Sequence, residues 1–370
     1  MGRVTNGLVT AALIVRDEAA VLAECLGSIG DVVDDIVVVD TGSVDDSAAI
    51  ASAFGARVYH ERWTDNFSAA RNAALDRCGG EWILYIDADE RLAPVPRRDL
   101  EALLGEAQEV AFRLLLRPFA HATPYREYRL WRNDPRIRFE GVIHEKVVPS
   151  IHAVAAAEHR PIGVCDLLLT HVGYEGDQTH KHRRNLPLLR TQVRAEPENL
   201  FNWHHLSGVL AGLGRGEEAE ETLAHAVALA RAKPSTDPVG VLAEADLIAL
   251  RHERGEDVRE MLVEARGRYP GNFVLLWLHG RVQMANGQYE EAIVCFDRLL
   301  SVDTSTLADQ GPAYDERLFG ELAHDGRAVC LFRLGRYAEA ALAWAEAERC
   351  NPDEPAYRVK RQLALARRSA

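Results

Sequence analysis

The chain has 370 residues, 47% of them hydrophobic, and a formal net charge of -13; that is more than one compact core comfortably holds, so two domains are expected. The acidic balance excludes broad non-specific attraction to nucleic acid, no stretch approaches the roughly 20 apolar residues of a membrane-spanning helix, and Met1 to Val15 lacks the basic start and cleavage site of a signal peptide, so a cytoplasmic protein is expected. Cys25, Cys78, Cys165, Cys295, Cys330 and Cys350 show no paired CxxC spacing and read as buried thiols rather than as a zinc knuckle or disulfide framework.

In chain order, Thr10 to Val15 reads as a first strand, Ala19 to Ile29 as a helix, and Asp35 to Val39 as a strand ending at Asp40. A helix beginning near Asp45, a short strand Arg57 to Tyr59, a helix around Ala69 to Cys78 and a strand Trp82 to Ile86 ending at Asp87 follow. Continuously apolar strands separated by helices predict a mostly parallel sheet covered on both faces. Ligands of such sheets gather beyond the carboxyl ends of the strands, where Asp40 and Asp87 both stand. Thr41-Gly42-Ser43 supplies a turn, and Ser43 or Asp45 can cap the next helix.

From about residue 196 alanine- and leucine-rich helices are broken by recurrent turns. Leu213-Gly214-Arg215-Gly216-Glu217-Glu218-Ala219, Asn286-Gly287-Gln288-Tyr289-Glu290-Glu291-Ala292 and Leu334-Gly335-Arg336-Tyr337-Ala338-Glu339-Ala340 align with one another. The pattern resembles tetratricopeptide repeats, although its spacing is irregular, with a degenerate unit near Arg254-Gly255 and an insertion at Ser301 to Tyr314. Such an array serves either as a groove for a polypeptide or as a buttress.

The run Trp82-Ile83-Leu84-Tyr85-Ile86-Asp87-Ala88-Asp89-Glu90 drives an apolar strand into an acidic turn. Carboxylates there suit magnesium or manganese, which take oxygen ligands and keep positions open for substrate phosphates. A lone DxD also occurs in ordinary turns. Here it is the fourth member of a series that begins with Leu13-Ile14-Val15-Arg16-Asp17-Glu18, continues through Ile36 to Ser47, and then shows Asn66-Phe67-Ser68-Ala69-Ala70-Arg71-Asn72. Basic residues stand at Arg126, Arg129, Arg132, Arg136 and Arg138, and at Lys181, Arg183 and Arg184, as anion contacts or as solvated surface.

Taken together, this series resembles the family-two inverting glycosyltransferases of GT-A fold, over roughly the first half of the chain. The resemblance implies that Asp40 contacts the nucleotide base or ribose and that Arg71 reaches the base or phosphate side. Asp87 would approach the ribose and Asp89 would coordinate a metal on the diphosphate. Val15, Glu18 and Ala88 would line the nucleotide-sugar pocket, with Arg16-Asp17-Glu18 standing where members more often show Lys-Asn-Glu. Tyr128 to Arg132 and Phe139 to Glu145 look like the acceptor-side strands of the subgroup with C-terminal helical repeats. An inverting transfer needs a base near the acceptor nucleophile; Glu145 is the first candidate and His144 the second, the other reading being that this pair pins a loop or orients the arginines. His171, within Leu169 to Tyr174, resembles the family's late histidine, which completes the metal site. Lys181 and Arg184 either bind diphosphate oxygens from a mobile flap or form the basic first turn of a linking helix.

The expected architecture is therefore an α/β GT-A catalytic domain over 1–178, a linking helix or flap over 179–195, and an all-α tetratricopeptide-like domain over 196–370. The expected donor is a nucleoside-diphosphate sugar, UDP-linked, with Mn2+ or Mg2+. The repeat array suggests a peptide or protein acceptor, and a lipid-linked or polysaccharide acceptor is the rival. The oligomeric state, a homo-oligomer included, stays open. An interaction scaffold with a degenerate nucleotide-binding domain is the competing class. The chain lacks the glycine-rich triphosphate loop of a nucleotidyltransferase and the GxGxxG of a nicotinamide dehydrogenase.

Overall fold

The computed structural model describes residues 7–172, 178–232 and 238–368. Backbone contacts divide the chain into one unit of Met1–Ala120 with Pro124–His180 and a second of His121–Thr123 with Lys181–Ala370.

The first unit runs β1 (Val9–Val15), α1 (Ala19–Ile29), β2 (Asp35–Asp40), α2 (Ser47–Ala53), β3 (Arg57–His60), α3 (Phe67–Leu75) and β4 (Trp82–Tyr85). It continues with β5 (Glu90–Leu92), α4 (Arg97–Gly105), β6 (Ala111–Arg117), β7 (Tyr125–Arg132), α5 (Val148–Glu158) and β8 (Ile162–His171). The strands form one sheet in the order β3-β2-β1-β4-β7-β6-β8-β5. Strands β3, β2, β1 and β4 are parallel to their neighbours, as the apolar runs predict. Beyond β4 the sheet is mixed: β7 is antiparallel to β4 and β6, β8 is parallel to β6, and β5 is antiparallel to β8.

The two-residue period of a strand explains why β2 is apolar throughout. Ile36 and Val38 pack with Leu22, Cys25, Leu26 and Ile29 of α1, whereas Val37 and Val39 enter the opposite core with Ala74 and Leu75 of α3. The same alternation places Trp82 and Leu84 of β4 in the α1 core and leaves Ile83 and Tyr85 on the α3 side. This side assignment matters for the site, because it puts the Tyr85 ring on the face from which α3 presents Arg71.

In the second unit α6 (Thr179–Ala195) leads into α7 (Leu200–Gly212), α8 (Gly216–Ala232), α9 (Pro238–Glu253), α10 (Arg259–Arg268), α11 (Phe273–Ala285) and α12 (Tyr289–Leu300). The short 3-10 turns Thr304–Asp309 and Glu316–Phe319 precede α13 (Glu321–Arg333), α14 (Tyr337–Cys350) and α15 (Pro355–Arg368). Each hairpin turns on a glycine with positive φ: Gly214, Gly255, Gly287 and Gly335, at 73° to 78°. At every one the amide after the glycine donates to the carbonyl five residues back, as in Arg215 to Leu210, Glu256 to Arg251, Gln288 to Gln283 and Arg336 to Leu331, all at 2.9–3.0 Å. This is a Schellman-type cap, and glycine carries its left-handed residue without a Cβ penalty. The unit near Gly255, degenerate in sequence, therefore turns by the same device. The insertion is tied down as well: Ala122 bridges Asp315, and the Thr123 amide donates to the Tyr314 carbonyl at 2.7 Å.

Helices α11 and α13 lie close to α12 because Gly280 and Gly326 both face the Phe296 ring. A Cβ at Gly326 would stand 2.6 Å from that ring, whereas one at Gly267 in α10 would meet nothing within 4 Å. Gly326→Val is expected to destabilise the protein by about 2 kcal/mol through overpacking. Gly267→Ala is expected to raise stability by roughly 0.5–1 kcal/mol through helix propensity alone. Urea unfolding of both variants checks the contrast; equal midpoints for the two would contradict it.

None of the six cysteines forms a disulfide; Cys25, Cys78, Cys295 and Cys330 are buried, Cys165 is half-buried and Cys350 is exposed. Among the described residues no helix is long and apolar enough to cross a membrane.

Candidate active site

The parallel register sets Val15 beside Asp40 and Asp40 beside His60, so three strands deliver their carboxyl ends together. Asp40 is buried. Its Oδ1 accepts from the Gly42 amide at 3.0 Å and from the Ser43 amide and hydroxyl at 2.8 Å, and its Oδ2 lies 3.3 Å from His60 Nδ1. Burial alone would raise the Asp40 pKa; the Ser43 and Gly42 bonds outweigh it and hold the carboxyl below its ordinary value. The loops after β1 and β2 are laced together. Val44 donates to Asp17 Oδ1 at 2.7 Å, Ser47 Oγ accepts the Glu18 amide at 2.8 Å, and Asp45 Oδ2 accepts the Ala19 amide at 3.0 Å. Asp45 thus serves the first turn of α1 as well as that of α2, where its Oδ1 accepts from the Ser47 amide at 3.0 Å.

The acidic turn after β4 is held by more groups than the DxD spacing suggests. Arg71 donates to Asp87 Oδ1 at 2.9 Å and through Nε to Glu145 Oε1. Tyr85 OH donates to Asp87 Oδ2 at 3.0 Å. The guanidinium carbons of Arg71 and Arg129 each lie 4.4 Å from the Tyr85 ring centre, within cation–π range. Arg129 donates to Glu90 Oε1 at 2.8 Å and stands 3.6 Å from Asp87 Oδ2. Burial would raise the Asp87 pKa, but Arg71 and then Arg129 hold it below its usual range. Burial does prevail at Glu90, whose pKa is pushed up to about 7 against the pull of Arg129.

Asp89 is buried, and its Oδ2 lies 3.2 Å from Nε2 of His171. The two meet because β5 pairs antiparallel with β8, with Glu90 opposite His171, and the Val172 amide donates to the Asp89 carbonyl at 2.8 Å.

Helix α3 carries a second function besides Arg71. Asn66 caps it by accepting the Ala69 amide at 3.0 Å. Ser68 Oγ donates to the Gly141 carbonyl at 2.5 Å, the Phe67 amide to Val142 at 2.9 Å, and Asn72 makes paired 2.9 Å bonds with the Phe139 backbone. Phe67, Ser68, Arg71 and Asn72 therefore dock the 139–145 loop on α3. In that loop Gly141 and His144 both have positive φ, at 103° and 54°. Burial lowers the His144 pKa, with Glu145 pulling the other way.

The structure thus gathers Val15, Glu18 and Asp40 at the β1–β2 ends, Arg71, Asp87 and Glu145 in one ion cluster, and Asp89 with His171 at the sheet edge. Ala88 is buried between the two aspartates of the turn. Lys181 and Arg184 lie on α6 within the second unit, and Gly173 and Tyr174 fall outside the described residues. Most of the arginine group is bound within the fold. Arg126 pairs with Asp166, Arg136 with Asp134 and Glu158, and Arg138 with Asp76, while Arg132 donates to the Glu109 and Ala107 carbonyls. Tyr85, Glu90 and Arg129 were not among the expected site residues. Only the length of the acidic run and the period-two placement of Arg129 beside an apolar strand hinted at them.

Residues 10–137 match the family model described as glycosyl transferase family 2. The chain carries a glycosyl transferase family 2 domain. That family 2 domain holds Asp40, Arg71, Asp87 and Asp89, while Glu145 and His171 follow it in sequence. Over 234 residues the chain is 36% identical to a TPR repeat-containing protein of Synechococcus elongatus, a match covering 61% of this chain and 58% of that protein. It is 26% identical over 201 residues to the SPbeta prophage-derived glycosyltransferase SunS of Bacillus subtilis, covering 52% and 46%. It is also 32% identical over 155 residues to the lipopolysaccharide core biosynthesis glycosyltransferase LpsC of Rhizobium meliloti, covering 38% and 57%. The matches span about half the length of these curated relatives.

Proposed function

We propose that the chain is a metal-dependent glycosyltransferase that moves a sugar from a nucleoside-diphosphate sugar, UDP-linked in the first instance, to an acceptor with inversion at the anomeric carbon. The observation that carries this reading is the meeting of Asp89 and His171 at 3.2 Å on the edge of a sheet whose family 2 domain also delivers Asp40 and Asp87 to strand ends. A carboxylate and an imidazole fit manganese or magnesium. Among the described residues no group of three or more metal-ligating side chains exists, so two protein ligands would leave positions for diphosphate oxygens. The ion, when bound, supplies a Lewis acid for the departing diphosphate.

On this reading Asp40, its carboxylate fixed by Ser43 and Gly42, contacts the base or ribose, and Asp87 approaches the ribose beneath Arg71. The acceptor's nucleophilic atom forms its bond to the anomeric carbon as the bond to the diphosphate breaks. The acceptor proton goes to Glu145, the first candidate base, or to its neighbour His144. Glu145 is held by Arg71 through Oε1, which fixes its position, and His144, with its lowered pKa, is neutral at pH 7. The helical repeats support a peptide or protein acceptor, since solenoids offer extended concave surfaces; LpsC, by its name, makes a glycan the rival. Six cysteines outside any disulfide support a cytoplasmic location.

The test is incubation of purified protein with a panel of nucleotide sugars and manganese, recording free nucleoside diphosphate. Release from one donor, abolished by EDTA, is the expected result. No release from any donor, with no nucleotide binding, would overturn the proposal in favour of an interaction scaffold.

A further inference from the structure

Glu90 follows directly on the acidic turn and is 1% exposed. Both of its carboxylate oxygens are used within the protein. Oε2 accepts the Asp87 amide at 2.9 Å, and Oε1 accepts Arg129 Nη2 at 2.8 Å. Its own residue is the β5 partner of His171. Three separate elements therefore meet at one residue: the turn after β4 and β7 through its side chain, at Asp87 and Arg129, and β8 through its backbone pairing with His171.

Arg129 depends on this contact. It is buried, and its Nε and Nη1 find no hydrogen-bond partner among the described residues. Its remaining neighbours are the Tyr85 ring face at 4.4 Å and Asp87 Oδ2 at 3.6 Å. A guanidinium so placed is tolerated because Glu90 supplies the hydrogen-bonded countercharge.

We infer that Glu90 and Arg129 form a positioning pair that fixes the Asp87–Asp89 turn and His171 relative to each other, so that Asp89 and His171 present a preformed pair of metal ligands. Glu90 is assigned a positioning role and not a ligand's, because it is 1% exposed and both its oxygens are directed at Asp87 and Arg129. The pair acts one step behind the ligands, and groups in that position commonly set metal affinity by orienting what they hold. The inference rests on the reading of Asp89 and His171 as metal ligands.

Glu90→Gln keeps one oxygen for the Asp87 amide and presents an amide in place of the countercharge to Arg129. Losing such support typically weakens metal binding about 10- to 100-fold, and about tenfold is the weakening expected for manganese, titrated by paramagnetic resonance in the presence of UDP. Affinity for UDP without metal should stay within about twofold of wild type, and amide hydrogens of 87–92 should exchange faster. With donor, kcat should fall while KM at saturating manganese holds. The double variant Glu90→Gln with Arg129→Gln should lose no more manganese affinity than the worse of the two single variants, whereas independent losses of packing would add. It also supplies the readout if the single variant folds poorly.

Manganese affinity within about twofold of wild type in Glu90→Gln, or a double variant whose loss equals the sum of the losses in Glu90→Gln and Arg129→Gln, would overturn the inference. A wild-type protein that binds no manganese with UDP would instead remove the transferase reading and this inference with it.

Discussion

Asp89→Ala is expected to lower manganese-dependent release of nucleoside diphosphate by about 1,000-fold, since a metal Lewis acid contributes several kcal/mol and each 1.36 kcal/mol is tenfold in rate. The loss should be selective. Asp89 lies on the edge strand turn, where its carboxylate faces His171 and its backbone carbonyl, which the substitution leaves in place, accepts Val172. The end of the site proposed for the nucleotide, with Asp40, Ser43 and the laced β1 and β2 loops, is held by bonds in which Asp89 has no part. UDP affinity measured without metal should therefore stay within about twofold of wild type, by the general independence of sites with no shared partners. His171→Ala should fall in the same direction. Release within about threefold of wild type in Asp89→Ala would place the metal elsewhere or remove it from the reaction.

Arg71→Met is expected to act first on stability. Arg71 is the shared partner of two carboxylates, Asp87 and Glu145, and stacks on the Tyr85 ring. Removing it leaves Glu145 without its countercharge and Asp87 with only Arg129 at 3.6 Å, and breaking a buried ion pair from one side costs about 3–5 kcal/mol. For a unit of this size that corresponds to a melting temperature lower by roughly 10 °C. Glu145→Gln, which keeps an oxygen for Arg71 and leaves Asp87 paired, should melt close to wild type and yet turn over more slowly if Glu145 is the base. Arg71→Lys should lie between, since an ammonium keeps the charge but cannot fork between two carboxylates. Thermal unfolding of the three variants side by side checks the order. If Arg71→Met melts within about 2 °C of wild type, the cluster carries far less energy than its burial and pairing imply.

The difference between what could and could not be read from the residues follows the range of the interactions. Strands β1, β2 and β4 are legible because a doubly covered parallel strand must be apolar on both faces, and Ile36 to Val39 leave no other reading. The repeats are legible because a left-handed cap selects glycine, so Gly214, Gly287 and Gly335 recur at the same place in each hairpin. Gly255 performs the same turn within a sequence too diverged to align, which shows that the cap geometry outlasts the motif around it. The order of the sheet beyond β4 was not legible. Nothing local in Tyr125–Arg132 states that it will pair with β4 rather than with a later strand.

That long-range pairing is also what the residue pattern hides about the site. Asp40 and His171 stand out because each ends a strand, and Asp87 and Asp89 because they form the acidic turn that follows the apolar β4. Glu90 and Arg129 lie 39 positions apart, and they become partners only once β7 lies beside β4. Glu145 illustrates the reverse case. The sequence names it as a candidate base, and the structure adds that Arg71 grips it, a contact that the loop-pinning reading expects and that leaves the base as a proposal. The arginine group divides in the same way: Arg126, Arg132, Arg136 and Arg138 serve the fold's own carboxylates and carbonyls, and Arg129 alone joins the acidic turn.

The central claim, a nucleoside-diphosphate site completed by a divalent cation, is tested most directly by calorimetric titration of the wild-type protein with UDP, with and without manganese. The account predicts one site per chain and an affinity at least about tenfold tighter with manganese, a gain of about 1.4 kcal/mol or more. The same weak affinity in both titrations, or no heat in either, would contradict it.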